Sequence, residues 1–167
     1  VEWSEKVMVI ADDAKALAIA GIMGGLSSSI TDATTEIFWV SAFFAQLAIA
    51  GRARSFGLHT DASQRYERGV DFELPMVAMH RASQLIQELA GGEFGPITVA
   101  EQAELLPIRE AIELNQAQVD QWLGYQVESD FITDALTRLG CTVTVKAMGE
   151  WSVVPPSHRY DMTIYQD

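Results

Sequence analysis

Leu17-Ala18-Ile19-Ala20-Gly21-Ile22-Met23-Gly24-Gly25 is a short apolar run broken by glycines, and its reading decides the fold. Four apolar residues bounded by a turn signal read as a buried strand over 17–20, because a helix needs a longer periodic stretch. The glycines, followed by Ser27-Ser28-Ser29, form a turn of residues that tolerate unusual backbone angles. Working outward, β-branched and aromatic residues predict further strands over 7–11 and 36–40. Residues 45–56 read as a helix ended by Gly57. Residues 72–90 read as a second, with Leu74, Ala78, Ala82, Leu85 and Leu89 as its apolar stripe and Gly91-Gly92 as its stop.

Beyond Gly95-Pro96 the chain turns polar and irregular over 101–107, which places a domain boundary there, between 1–106 and 107–167. In the second portion Asn115 is suited to cap a helix running to Leu123-Gly124, and Ser129 to cap another running to Leu139-Gly140. Thr142-Val143-Thr144-Val145-Lys146 and Trp151-Ser152-Val153-Val154 alternate like two hairpin arms joined through Met148-Gly149. The fold class expected is therefore α/β (α+β): a mixed sheet backed by helices, then a small winged-helix-like module.

Composition narrows the function. Of 167 residues 49% are hydrophobic and 20% charged, enough apolar surface to exclude a disordered chain. The most apolar stretch, 42–50, is about half of the roughly 20 residues that cross a bilayer, so no membrane span is expected. A single cysteine, Cys141, excludes an internal disulfide and fits a reducing, cytoplasmic compartment; its place between a helix end and a strand suggests a small core residue. The first residues carry neither the basic region nor the apolar run of a signal peptide, and Val1 suggests a piece of a longer chain. The net charge of −12 argues against a sequence-independent DNA binder. Residues 1–107 hold 7 basic and 14 acidic groups and residues 108–167 hold 4 and 9, so both portions are acidic. Against that average, Arg52, Arg54, Arg65 and Arg68 gather four of the 11 basic residues into 17 positions. They form either a solvated face or a grip on a polyanion.

Three constellations could carry chemistry. The glycine turn matches neither the dinucleotide fingerprint nor the phosphate-loop pattern and reads first as a tight turn. His59-Thr60-Asp61-Ala62-Ser63 has the letters of a hydrolytic triad, but neighbours in sequence cannot line up as one. It reads better as a loop on a polar pocket, with the Thr60 hydroxyl placing a water or ligand. His80, on the 72–90 helix with no second ligand at i+4, reads as a surface or partly packed residue. Near the end, Asp161 and Asp167 are too few oxygens for magnesium by themselves and read as solvated acids.

Taken together, Val9-Ile10-Ala11-Asp12, Ala20-Gly21-Ile22-Met23-Gly24-Gly25, Ser41-Ala42-Phe43-Phe44, Gly51-Arg52-Ala53-Arg54, Gly57-Leu58-His59-Thr60-Asp61-Ala62-Ser63 and Arg65-Tyr66-Glu67-Arg68-Gly69-Val70-Asp71 resemble the bacterial phenylalanyl-tRNA synthetase beta subunit. Leu139-Gly140-Cys141 and Pro156-Ser157-His158-Arg159-Tyr160-Asp161 extend the resemblance over essentially the whole chain. It implies most of an editing, or tRNA-binding, domain and part of the small helical domain that follows it. The family is an α2β2 ligase that attaches phenylalanine to tRNA(Phe) with ATP and magnesium, its synthetic site on the alpha subunit. Its editing pocket hydrolyses mischarged tyrosyl-tRNA by holding a water beside the ester.

By the same resemblance His59 and Thr60 would carry the hydrolysis. Ala62, Val40, Gly24 and Gly25 would line the pocket for tyrosine or phenylalanine, Arg52 and Arg54 would hold tRNA, and Asp161 with Asp167 would belong to an incomplete magnesium site, with no cofactor held tightly by this piece. One departure stands out: Val40 occupies the position where the family usually has a glutamate that accepts a hydrogen bond from the tyrosine hydroxyl. The pocket's histidine is expected upstream of Val1, so the piece alone is expected to be inactive. The rival reading is a non-catalytic tRNA-binding scaffold with a degenerate pocket. A DNA-binding role for the second module is disfavoured by its acidity.

Overall fold

Asp12 closes the first hairpin: its Oδ1 accepts the amides of Ala14 and Lys15 at 2.8 and 2.7 Å, turning the chain between two strands. Those amide bonds, Ala14 first, hold its carboxyl below the usual range. The computed structural model describes residues 7–167. They divide into two compact units between Pro96 and Ile97, whereas the irregular stretch in the sequence had suggested residue 106.

In the first unit β1 (Val9–Ala11), β2 (Ala16–Ile19) and β3 (Met23–Gly24) form an antiparallel meander. Gly21, at φ 67°, makes the turn from β2 to β3. The expected strand over 36–40 does not form. These residues carry no ladder bonds, and Phe38 is 90% exposed. β-branched and aromatic residues favour strands only where a neighbouring strand gives them a surface to pack on, and none of the described strands pairs here.

The helix expected over 45–56 is two short ones, α1 (Gln46–Ile49) and α2 (Arg52–Ser55), because Gly51 between them is left-handed at φ 72°. α3 (Asp61–Tyr66) follows, then α4 (Pro75–Ala90). α4 starts at Pro75 rather than at 72: proline suits the first helical position, and Asp71 ties residues 71–73 into a turn through the Glu73 amide at 2.9 Å. Its packed face is also not the expected stripe. Met79, Ala82, Ser83 and Ile86 are half-buried while Leu74, Ala78, Leu85 and Leu89 are exposed. The half-buried face is thus turned away from the centre of the apolar stripe, which stays largely exposed among the described residues. His80 is exposed on it. The core is Ile19, Ile22, Ile49 and Ala53, flanked by Phe44, Phe56, Leu58 and Tyr66.

The second unit has one more strand than the hairpin anticipated. β4 (Ile112–Asn115), α5 (Gln116–Leu123), α6 (Ser129–Arg138), β5 (Thr142–Ala147) and β6 (Glu150–Val154) follow in order, and the antiparallel sheet runs β4-β6-β5. The fold is α+β, with both sheets antiparallel throughout. Asn115 caps α5 in a reciprocal box with Gln118, and Gly124 ends it in the left-handed conformation. Ser129 does not cap α6: Glu128 holds that position, and the Ser129 hydroxyl donates to Gln116 Oε1 at 2.8 Å instead. Gln116 spends its amide nitrogen on Asp120 Oδ1 and the Val127 carbonyl, fastening the loop between the helices. Alternation along β6 sends Trp151 and Val153 inward to meet Ile132 and Cys141, so the cysteine is a core residue. Trp151 Nε1 donates to Thr133 Oγ1 at 2.9 Å.

Candidate functional site

The site is built on the start of α3. Thr60 is its N-cap: Thr60 Oγ1 accepts the Ser63 amide and Ser63 Oγ accepts the Thr60 amide, both at 3.0 Å. The Thr60 hydroxyl also donates to the Ile22 carbonyl at 2.7 Å, across 38 residues. The turn after β2 is thereby fixed beside the helix.

Gly24, Val40 and Ala62 come together from three distant stretches on one groove of about 240 Å³, with Gly21, Ala42, Phe44 and Tyr66 among its other walls. That volume lies below the usual range of drug-sized pockets, about 300–1,000 Å³, and matches a single side chain better than a larger ligand. The groove is lined by apolar surface, and Val40 is 50% exposed at it. Tyr66 was not singled out for the pocket, although it lies in one of the strings that carry the resemblance. Its hydroxyl donates to the Ala42 carbonyl at 2.8 Å, and its ring meets Phe44 at 5.1 Å between centroids. Burial pushes the phenol upward, so it remains a donor at neutral pH.

The remaining predicted residues lie elsewhere. Gly25 is outside the lining, with its amide on the Leu17 carbonyl at 2.7 Å. Neither Thr60 nor His59 lines the groove; His59 is exposed, its Nε2 3.0 Å from the Gln64 amide nitrogen. Arg65 and Arg68 are turned back onto the Asp61 and Gln64 carbonyls. Arg54 is exposed, and Arg52 Nε is buried without a hydrogen-bond partner.

At the far end of the chain Asp161 is clasped by Arg159 through two bonds of 2.8 and 3.0 Å. That pairing holds the Asp161 carboxyl below its usual range. Asp167 Oδ2 accepts the amides of Thr163 and Ile164, which lower its carboxyl in the same way. Among the described residues no three His, Cys, Asp or Glu side chains gather to hold a metal. Both carboxylates that the resemblance assigns to a magnesium site are thus engaged by groups of the chain itself.

A depressed carboxyl contributes stability that is complete above its unfolded value and fades as pH falls through the folded one. Arg159→Ala is therefore expected to move the Asp161 titration upward, read by carboxyl NMR. An unchanged titration would show that Arg159 is not the cause.

Residues 1–91 match the B3/4 domain, and residues 112–167 match the tRNA synthetase B5 domain. The chain belongs to the B3/4 domain family, as it occurs in phenylalanine–tRNA ligase beta subunits. It is 77% identical over its whole length to the phenylalanine–tRNA ligase beta subunit of Acinetobacter baylyi, of which it covers 21%. To the same subunit of Pseudomonas savastanoi it is 51% identical over 96% of the chain, or 20% of that protein. To that of Pseudoalteromonas translucida it is 49% identical over its whole length, or 21% of that protein. The chain thus spans about a fifth of the relatives it matches, with the groove in its B3/4 domain and Asp161 and Asp167 in its B5 domain. Among the described residues no helix is long and apolar enough to cross a membrane.

Proposed function

We propose that this chain supplies the editing module of a phenylalanine–tRNA ligase, hydrolysing tyrosine wrongly esterified to tRNA(Phe). The observation that carries this reading is the meeting of Gly24, Val40 and Ala62 on one groove sized for a side chain. Ala62 leaves room for a ring, and hydrolysis follows from holding water against the ester rather than from a protein nucleophile. In the intact enzyme the partners are tRNA(Phe) and the alpha subunit of an α2β2 assembly in the cytoplasm, with ATP and magnesium serving the synthetic reaction outside this chain. Arg52 and Arg54 belong to the tRNA contact, and Arg54 is exposed as such a contact requires.

Val40 leaves a tyrosine hydroxyl without a carboxylate acceptor. An unpartnered buried hydroxyl costs about 1–3 kcal/mol, or roughly one to two decades of discrimination. In the complete beta subunit with its alpha partner, Val40→Glu is therefore expected to raise the release of tyrosine relative to phenylalanine from mischarged tRNA by about tenfold or more. The commitment of the Thr60 hydroxyl to Ile22 favours a second reading, a tRNA-binding scaffold without hydrolysis. If neither the wild type nor Val40→Glu releases tyrosine, while Arg52→Ala and Arg54→Ala weaken salt-sensitive tRNA binding, that second reading stands instead.

A further inference from the structure

Two walls of the groove differ in what holds them. The wall made by Gly21 and Gly24 belongs to a strand turn, with β3 paired to β2. The wall made by Val40 and Ala42 lies in a stretch without ladder bonds, so its position must come from side chains. α3 reaches both. At its N-cap Thr60 donates to the Ile22 carbonyl at 2.7 Å, and at its last residue Tyr66 donates to the Ala42 carbonyl at 2.8 Å. Ala62 lines the groove from the first turn of the same helix.

We propose that α3 is a clasp that sets the width of the groove, with Thr60 and Tyr66 as its two positioning residues, each acting through a carbonyl on an opposite wall. A hydroxyl has one proton to give. Thr60 gives its proton to Ile22 and accepts from the Ser63 amide, which leaves it a single lone pair. Its role is therefore to place the glycine wall, and Tyr66 places the wall that carries Val40. The Phe44–Tyr66 ring contact adds to the second anchor, and ring packing survives loss of the hydroxyl. Gly21 belongs to the same arrangement: a Cβ there would meet the rings of Phe44 and Tyr66 at 3.2 Å.

The functional consequence rests on the editing reading, whereas the geometry can be tested without it. In the complete ligase, kcat and KM for tyrosine release are measured for the wild type, Thr60→Ser, Thr60→Val and Tyr66→Phe, together with crystal structures of each variant. Losing one anchor is expected to raise KM about tenfold in Thr60→Val and Tyr66→Phe with a smaller change in kcat, and to displace the Ile22 or the Ala42 carbonyl respectively. Thr60→Ser keeps the hydroxyl and is expected to stay within about twofold of the wild type.

The proposal is overturned if both carbonyls stay in place in the variants. It is equally overturned if Thr60→Val lowers kcat alone, since Thr60 would then act directly on the reacting groups. Should Thr60→Val fail to assemble, Tyr66→Phe decides by itself. Should the wild type release no tyrosine, the editing reading fails while the two carbonyl positions still decide the clasp.

Discussion

Trp151→Ala is expected to lower the stability of the second unit by about 3–5 kcal/mol, the range for removing a large aromatic side chain from a core. Trp151 is 1% exposed and sits on the central strand of its sheet, against Ile132, Cys141 and Val153. Its removal leaves a cavity that a rigid three-stranded sheet closes poorly, and leaves Thr133 Oγ1 without its indole partner. A small domain has only about 5–15 kcal/mol in total, so the loss is a large share. Urea unfolding followed by hydrogen exchange at the β5 and β6 amides reads the effect. Trp151→Phe, which keeps a ring but no N–H, is expected to cost less. A loss below about 1 kcal/mol for the alanine variant would mean that the core closes over the gap.

The second large effect comes from one atom. A Cβ built on Gly25 would lie 2.4 Å from the Leu17 carbonyl oxygen, a backbone atom that cannot swing aside. Gly25 has φ −82° and ψ 146°, an extended conformation open to any residue, so the glycine is required by close approach alone. The same carbonyl accepts the Gly25 amide at 2.7 Å and the Ser28 hydroxyl at 2.8 Å, and all three contacts must shift together.

Gly25→Ala is expected to destabilise the first unit by about 1–3 kcal/mol, as overpacking does, which corresponds to a lowered Tm of roughly 4–8 °C per kcal/mol. Gly24→Ala is the control, because its Cβ would enter open space. It is expected to change stability by no more than about 0.5 kcal/mol while narrowing the groove. Equal melting temperatures for the two variants would refute the steric argument.

What the sequence made legible was local. Asn115 and Gly124 bracket α5 as their types predict, and Met148-Gly149 joins the arms of a true hairpin. Of the four residues that the resemblance assigns to the pocket, Gly24, Val40 and Ala62 lie on one groove and Gly25 lies outside it. What escaped depends on partners far away in the chain. β4 is four residues long and pairs with a strand 35 residues or more downstream, so its own alternation is too brief to announce it. Residues 36–40 erred in the opposite direction: propensity favoured a strand, and no described neighbour supplies its hydrogen bonds. Ser129 has the chemistry of a cap, yet Gln116, 13 residues earlier, claims its hydroxyl. Thr60 was read as facing a ligand because the motif says nothing of Ile22, 38 residues before it.

The strand order β4-β6-β5 carries a consequence for synthesis on the ribosome. Of the three described strands of this sheet the middle one comes last in sequence, and among the described strands β4 and β5 pair only with β6. At about 5–20 residues per second, β4 waits a few seconds for the tunnel to deliver residues 150–154. Until then the nascent chain carries α5, α6 and two unpaired strands, exposing the apolar positions that Trp151 and Val153 will later cover. During this interval the unpaired edges and apolar positions of this unit are open to neighbours on the polysome.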